Sequence, residues 1–359
     1  MLARLRTNPV LRAGFLAVAL AFCGLGLADS WPQAQLAVTR TQPYSVAAAF
    51  VAAAAGSFCL TMAWRAVLAD LGSRLPVPAA VHVMSVSQVA KYLPGAIWAF
   101  AAQVELGYDY RVDRRRSTAA VIISLAVALG TGLLLAAVTI PVASAGAARH
   151  YRWFLAAAPL VAVCLAPPVL RRLLQVALRL ARRPPLERLP SSRGLLIAVG
   201  WTMLGWLLWG TQAWLLIGDL AGHGLATAAL SVGGYALAWS AGLVLVLFPG
   251  GIGPRELAFV LVLAPILPRG SALLVALVSR LVMTASDFAW AGTGLIIGRL
   301  TRHSRAQAAA SPRPAIGHPV GHRWPMPVRP AEAAGLPVAS VQARGDAGPG
   351  EIDVDGSAR

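Results

Sequence analysis

Apolar residues in this chain come in long runs, not at alternating positions. The runs cover about 13–28, 45–69, 118–140, 153–170, 194–217, 225–248 and 271–298. A segment of about 20 apolar residues is long enough to cross a bilayer as a helix. In lipid the backbone must satisfy its own hydrogen bonds, which favours helices for runs of this kind. Polar residues collect in the stretches between them, with a polar loop expected at 29–44 and a turn at Pro76 and Pro78. Pro141 is expected to end the run at 118–140. Gly26-Leu27-Ala28 resembles a small-x-small cleavage site, but the apolar runs downstream favour an uncleaved first helix.

Two stretches break the pattern. Residues 85–105, SVSQVAKYLPGAIWAFAAQVE, are apolar enough to enter a membrane yet contain Lys91, Leu93-Pro94-Gly95 and Glu105. Residues 248–256, FPGGIGPRE, interrupt the chain a second time, and the apolar run at 257–267 after them is too short to span alone. The pattern therefore predicts an all-α, polytopic transmembrane bundle of seven or eight spans with one or two re-entrant broken helices. Interrupted segments in both halves of a membrane protein point to a binding site near the midplane.

Composition fits this picture. Of 359 residues, 57% are hydrophobic and only 13% charged, and the mean hydropathy is +0.66. A soluble domain carries about 25% charged residues. The formal charge of +17 does not indicate nucleic-acid binding, because the arginines lie in short loops and a tail, where they set topology and meet anionic headgroups. The loop at 171–193 alone holds seven arginines against Glu187. The positive-inside rule then places the amino terminus, the loops at 65–80, 105–117 and 171–193, and the tail in the cytoplasm. The loops at 29–44, 141–150 and 218–224 fall outside. This is the threading of a multi-pass protein of the inner (plasma) membrane with both termini cytoplasmic. Two domains are expected: a membrane domain, 1–298, and a disordered, basic Pro/Gly/Ala/Arg-rich cytoplasmic tail, 299–359, with too little apolar residue content to bury a core. Cys23, Cys59 and Cys164 lie in apolar runs at spacings that fit no disulfide framework or metal site.

Three constellations carry candidate chemistry. Lys91 is the only lysine in the chain, and an ionisable group at membrane depth is read first as functional. With Pro94 and Gly95, which free backbone N–H groups, it suits a phosphate or carboxylate. Tyr92 and Trp98 are expected as interface anchors, Gln88 and Gln103 as cavity residues, and Glu105 at the water boundary. In the second stretch, Gly251 and Gly253 let backbone approach a ligand closely. Arg255 is expected to face an anion, while Glu256 finds another cation, Lys91 or Arg280. Third, Arg280 and Asp287 lie seven apart, on one helix face about 10 Å apart along the axis. No catalytic, metal-binding or cofactor-binding motif is present, including a phosphate-binding G-x-x-x-x-G-K-[ST] loop.

The run SQVAKYLPGAIWAF, followed downstream by FPGGIGPRELAFVLVL and SRLVMTASDFAWAGTGL, resembles the lysylphosphatidylglycerol synthase transmembrane-region family, a flippase-like family of integral membrane proteins. The resemblance covers roughly residues 10–300. It implies movement of lipid between leaflets, and it puts Lys91, Pro94, Gly95, Gly251, Gly253, Arg255 and Glu256 at family-like motif positions. Synthase activity belongs to a separate soluble domain in bifunctional members and is not implied. The expected function is to bind and translocate an anionic or aminoacylated phospholipid, or a polyprenyl-phosphate lipid, through a polar cavity. The alternatives are a membrane transferase using a polyprenyl-phosphate lipid, with Glu105 or Asp287 as base, and a non-catalytic scaffold for a cytoplasmic enzyme. The expected partners are membrane lipids and a cytoplasmic enzyme, not nucleic acid.

Overall fold

The computed structural model describes residues 31–92, 98–143, 158–163, 165–180, 190–244 and 253–310. The first apolar run, residues 153–157 and 164 of the run at 153–170, and residues 93–97, 245–252 and 311–359 lie outside the described residues, and with them Pro94, Gly95 and Gly251. The chain divides into two units, 1–308 and 309–359; the helical bundle and its cavity belong to the first.

The described residues are helical apart from the turns that join the helices, with no strand among them. The helices are α1 Trp31–Arg40, α2 Pro43–Asp70, α3 Val77–Val89, α4 Trp98–Tyr108, α5 Arg114–Val142, α6 Pro167–Leu180, α7 Ser192–Ala221, α8 Leu225–Val244, α9 Pro254–Leu263 and α10 Arg269–Ala310, with a 3-10 turn at Ala90–Tyr92. Among the described residues four helices are long and apolar enough to cross a membrane: α2, α5, α7 and α10. The expected loop at 29–44 contains α1 instead. Its sequence WPQAQLAVTR is polar, but apart from one early proline it is made of residues a helix accepts. Pro141 does not end α5, which includes it in its last turn and closes at Val142. The last helix runs on past the expected 298 to Ala310.

Helices α2 and α7 form the backbone of the bundle, antiparallel and packed along their length. Lipid offers little hydrophobic drive for helices to associate, so close packing and polar contacts must hold them. The crossing is at Gly56 and Gly205. A Cβ on Gly56 would collide with the Trp209 ring, and one on Gly205 would lie 3.3 Å from the Gly56 carbonyl oxygen. Trp209 Nε1 donates to the Ala53 carbonyl at 3.2 Å, and Trp290 Nε1, from α10, to that of Ala54 at 2.9 Å.

Each end of the pair is tied by a carboxylate. Asp70, closing α2, accepts from the backbone N–H and, at 2.7 Å, from the hydroxyl of Ser191, which caps α7. Asp219, near the end of α7, accepts from Gln42 N at 2.9 Å and Ser45 Oγ at 3.0 Å at the start of α2. Orphan N–H groups at the helix starts are satisfied this way.

α8 packs on α5, α7 and α9. The main core forms there, around Trp206, Trp209, Tyr235, Phe259 and Leu263. A second core at the Asp70 end joins Trp64, Leu68, Leu75, Val83, Ile123 and Leu195. Both short segments around the broken stretch, α3 and α4, pack on each other, α3 also on α2 and α4 on α5. The Asp70 end gathers described arginine-rich segments, and the expected loop at 171–193 begins as helix, since α6 runs on to Leu180. Arg114, Arg115 and Arg116 begin α5, capped by Asp113, and Arg171 reaches Ser192.

Candidate functional site

The interruption at 85–105 is real in its described parts. α3 ends at Val89 and tightens into the 3-10 turn holding Lys91 and Tyr92; beyond 93–97, which lie outside the described residues, α4 begins at Trp98. The turn brings Lys91 against α10, where its Nζ lies 2.6 Å from Asp287 Oδ2. Tyr92 donates to the same oxygen at 2.7 Å, and its ring stacks on Phe288. Tyr92 is therefore drawn inward to a carboxylate and is not the interface anchor expected of it. Asp287 lies 18 residues after Arg269 and 14 before Thr301 in the apolar part of α10, so this ion pair sits near the middle of the span.

The second interruption ends at Gly253, whose φ of +96° suits glycine and few other residues. It caps α9, and Glu256 reaches back to accept its N–H at 2.7 Å. The other Glu256 oxygen lies 2.6 Å from Arg280 Nη1 on α10. Of the two cations considered for Glu256, the structure selects Arg280 and gives Lys91 to Asp287. Both pairs are largely withdrawn from solvent, with side-chain exposures of 20% and 5% for Arg280 and Glu256 and 32% and 8% for Lys91 and Asp287. Charges at this depth stay charged only if paired and hydrogen-bonded.

Arg255 differs. Its guanidinium stacks 4.8 Å from the centre of the Tyr235 ring and donates to the Tyr235 hydroxyl. No carboxylate partner for it is found among the described residues. The neighbouring stretches 93–97 and 245–252 contain no Asp or Glu. The cluster of Lys91, Arg255, Arg280, Glu256 and Asp287 thus carries one positive charge in excess.

A cavity of about 290 Å³ opens beside this cluster. Lys91, Arg255, Arg280 and Asp287 line it, as do Gln88 and Gln103; Glu256 does not. It extends along α2 from Ser57 to Trp64, along α3 from Lys91 back to Val81, and along α5 from Ala128 back to Val121. That is about 10 Å or more of each helix at 1.5 Å per residue, directed toward the arginine-rich end. Two lining side chains, Trp64 and Ser124, hold a buried polar atom without a partner, Nε1 and Oγ. An orphan of this kind costs about 1–3 kcal/mol. Glu105 lies elsewhere, exposed and bridged to Arg114 at 2.8 Å, which holds its carboxyl below the ordinary range. Trp98 is 55% exposed. Among the described residues no three His, Cys, Asp or Glu side chains gather as a metal site.

Tyr235 and Trp64 were not legible as site residues. Each is an aromatic side chain in an apolar helix, with no charge or helix break beside it.

Residues 10–291 match the family model described as the lysylphosphatidylglycerol synthase TM region. The chain belongs to this family. Among curated proteins none matches the sequence. The match covers all described parts of the site, from the Lys91 turn to Asp287, and ends within the apolar part of α10. As a member of the lysylphosphatidylglycerol synthase TM-region family, with several apolar helices, the protein is a multi-pass membrane protein with a lipid-related role.

Proposed function

We propose that this protein binds the phosphate of an anionic lipid, a phospholipid or a polyprenyl-phosphate lipid, in the mid-span cavity and moves its headgroup between leaflets. One observation carries the reading: Arg255 lines the cavity as a cation with no carboxylate partner among the described residues. An unbalanced charge at membrane depth is costly, and a ligand anion offsets that cost. Arg255 offers a planar donor fork suited to phosphate. Lys91, also in the cavity wall, contributes a second cation: its ammonium has three donors, so it meets the ligand without leaving Asp287. The hydrocarbon chains remain in the surrounding lipid.

In this reading the two interrupted segments, 85–105 and 248–256, enter from one side as re-entrant elements within a bundle of seven or eight spans. The arginine-rich end of the bundle faces the cytoplasmic side of the inner (plasma) membrane by the positive-inside rule, with both termini on that side. Lys91, Pro94, Gly95, Gly251, Gly253 and Arg255 form the substrate site, with Glu256, Arg280 and Asp287 setting its charge. The carboxylates proposed as a transferase base are both engaged, Glu105 with Arg114 and Asp287 with Lys91 and Tyr92.

Proteoliposomes carrying a fluorescent anionic lipid test the reading by quenching of the outer leaflet. Wild type makes the inner-leaflet lipid accessible, and Arg255→Gln slows this on the order of 10-fold or more. Equal rates for both proteins would remove Arg255 from the mechanism.

A further inference from the structure

The cavity is chemically divided, and the division bears on which headgroup it takes. Its charged side chains, Lys91, Arg255, Arg280 and Asp287, come from the turn after α3, from α9 and from the middle of α10. The part that continues toward the arginine-rich end, along α2, α3, α4 and α5, is lined by neutral polar groups: Thr61, Trp64, Gln88, Gln103 and Ser124. No further charged side chain lines it among the described residues. Trp64 is 1% exposed and Gln103 4%, and Trp64 Nε1 and Ser124 Oγ lack partners. Gln88 spends its amide only on the Met84 sulfur, a weak acceptor, at 3.6 Å.

We infer that this neutral compartment receives a polyhydroxylated, uncharged headgroup attached to the phosphate: a glycerol, an inositol or a sugar. The inference rests on the proposed phosphate site and names the substrate class for it. Each candidate ligand makes a different demand. An amine-bearing headgroup needs a carboxylate, and the only one lining the cavity among the described residues, Asp287, already holds Lys91 and Tyr92. A headgroup with a second anion needs cations in the inner compartment, where none are found among the described residues. Hydroxyl groups, which both donate and accept, match a wall of indole N–H, amide and hydroxyl groups in which Trp64 Nε1 and Ser124 Oγ are left unsatisfied among the described residues. The aromatic ring of Phe100 in the same wall gives the apolar face of such a ring a surface to lie on.

Native mass spectrometry of the full-length protein, offered equimolar lipids of matched chains, tests this. The panel is phosphatidylglycerol, phosphatidylinositol, a polyprenyl-phosphate hexose, phosphatidic acid and lysyl-phosphatidylglycerol. Wild type should retain at least one polyol lipid about 3- to 10-fold over phosphatidic acid and over the lysyl lipid, the gain expected from one or two hydrogen bonds. The polyol lipid retained best separates a glycerolipid source from a polyprenyl one. Gln103→Leu and Trp64→Phe, the second replacing the indole and its N–H by a smaller benzyl ring, should erase the preference while phosphatidic acid remains bound. Preference for the lysyl lipid, or equal retention of phosphatidic acid and the polyol lipids, would overturn the inference and leave the phosphate site standing. Loss of all anionic lipids from wild type would overturn both.

Discussion

Five ionisable side chains decide the character of this protein's interior, and their arrangement makes distinct demands on each. Glu256 is the most buried, holding Arg280 and the α9 cap together. Glu256→Gln should destabilise the protein by about 3–5 kcal/mol, because it leaves Arg280 without its counter-charge. Adding Arg280→Met should recover part of that loss, and thermal unfolding in detergent of the four-protein cycle would show it. Arg255→Gln should behave in the opposite way, leaving the melting temperature unchanged or raised, because no ion pair is broken. Gly253→Ala should cost about 1–2 kcal/mol, since its φ of +96° is one a Cβ resists. The identity of these residues could be read from the sequence, because a charge inside an apolar run is conspicuous. Their pairing could not. Lys91 and Asp287 are far apart in the chain, and either Lys91 or Arg280 would satisfy Glu256 in a one-dimensional reading. Only the turn at Ala90–Tyr92, which carries Lys91 and Tyr92 together to α10, decides it.

At the scale of elements, the bundle depends on the α2–α7 pair. Gly56→Leu should separate the two helices, because the added side chain would have to displace the Trp209 ring. The measurable result is loss of folded, monodisperse protein on size exclusion, with Gly200→Leu, at a glycine that meets nothing within 4 Å, unaffected. Asp219→Ala should cost roughly 1–2 kcal/mol by freeing Gln42 N and Ser45 Oγ. The long helices were legible from apolar run length, which depends only on the thickness of the bilayer. The helix breaks were legible from Pro and Gly, which act locally. α1 was not, because its residues are polar and its stability depends partly on partners distant in sequence, such as the Gly270 N–H bonded to Gln33. The Tyr235 and Trp64 side chains escaped notice for the same reason: their roles come from what packs beside them.

For the whole molecule, stability and function rest on different residues. The α2–α7 pair, the two aromatic cores and the Glu256–Arg280 bridge hold the bundle, while in the proposed function the excess charge on Arg255 serves a ligand. Residues 311–359 have no role in this scheme, so deleting them should leave lipid retention and exchange between leaflets unchanged; a protein that docks a cytoplasmic enzyme through its tail would lose its effect. The central claim is that one excess cation in the cavity holds an anionic lipid. The most direct test is native mass spectrometry of wild type beside Arg255→Gln after gentle solubilisation from native membranes. Wild type should retain an anionic lipid, and an Arg255→Gln protein of equal or greater thermal stability should lose it. The same lipid on both proteins in equal amount, or none on either, would contradict the claim.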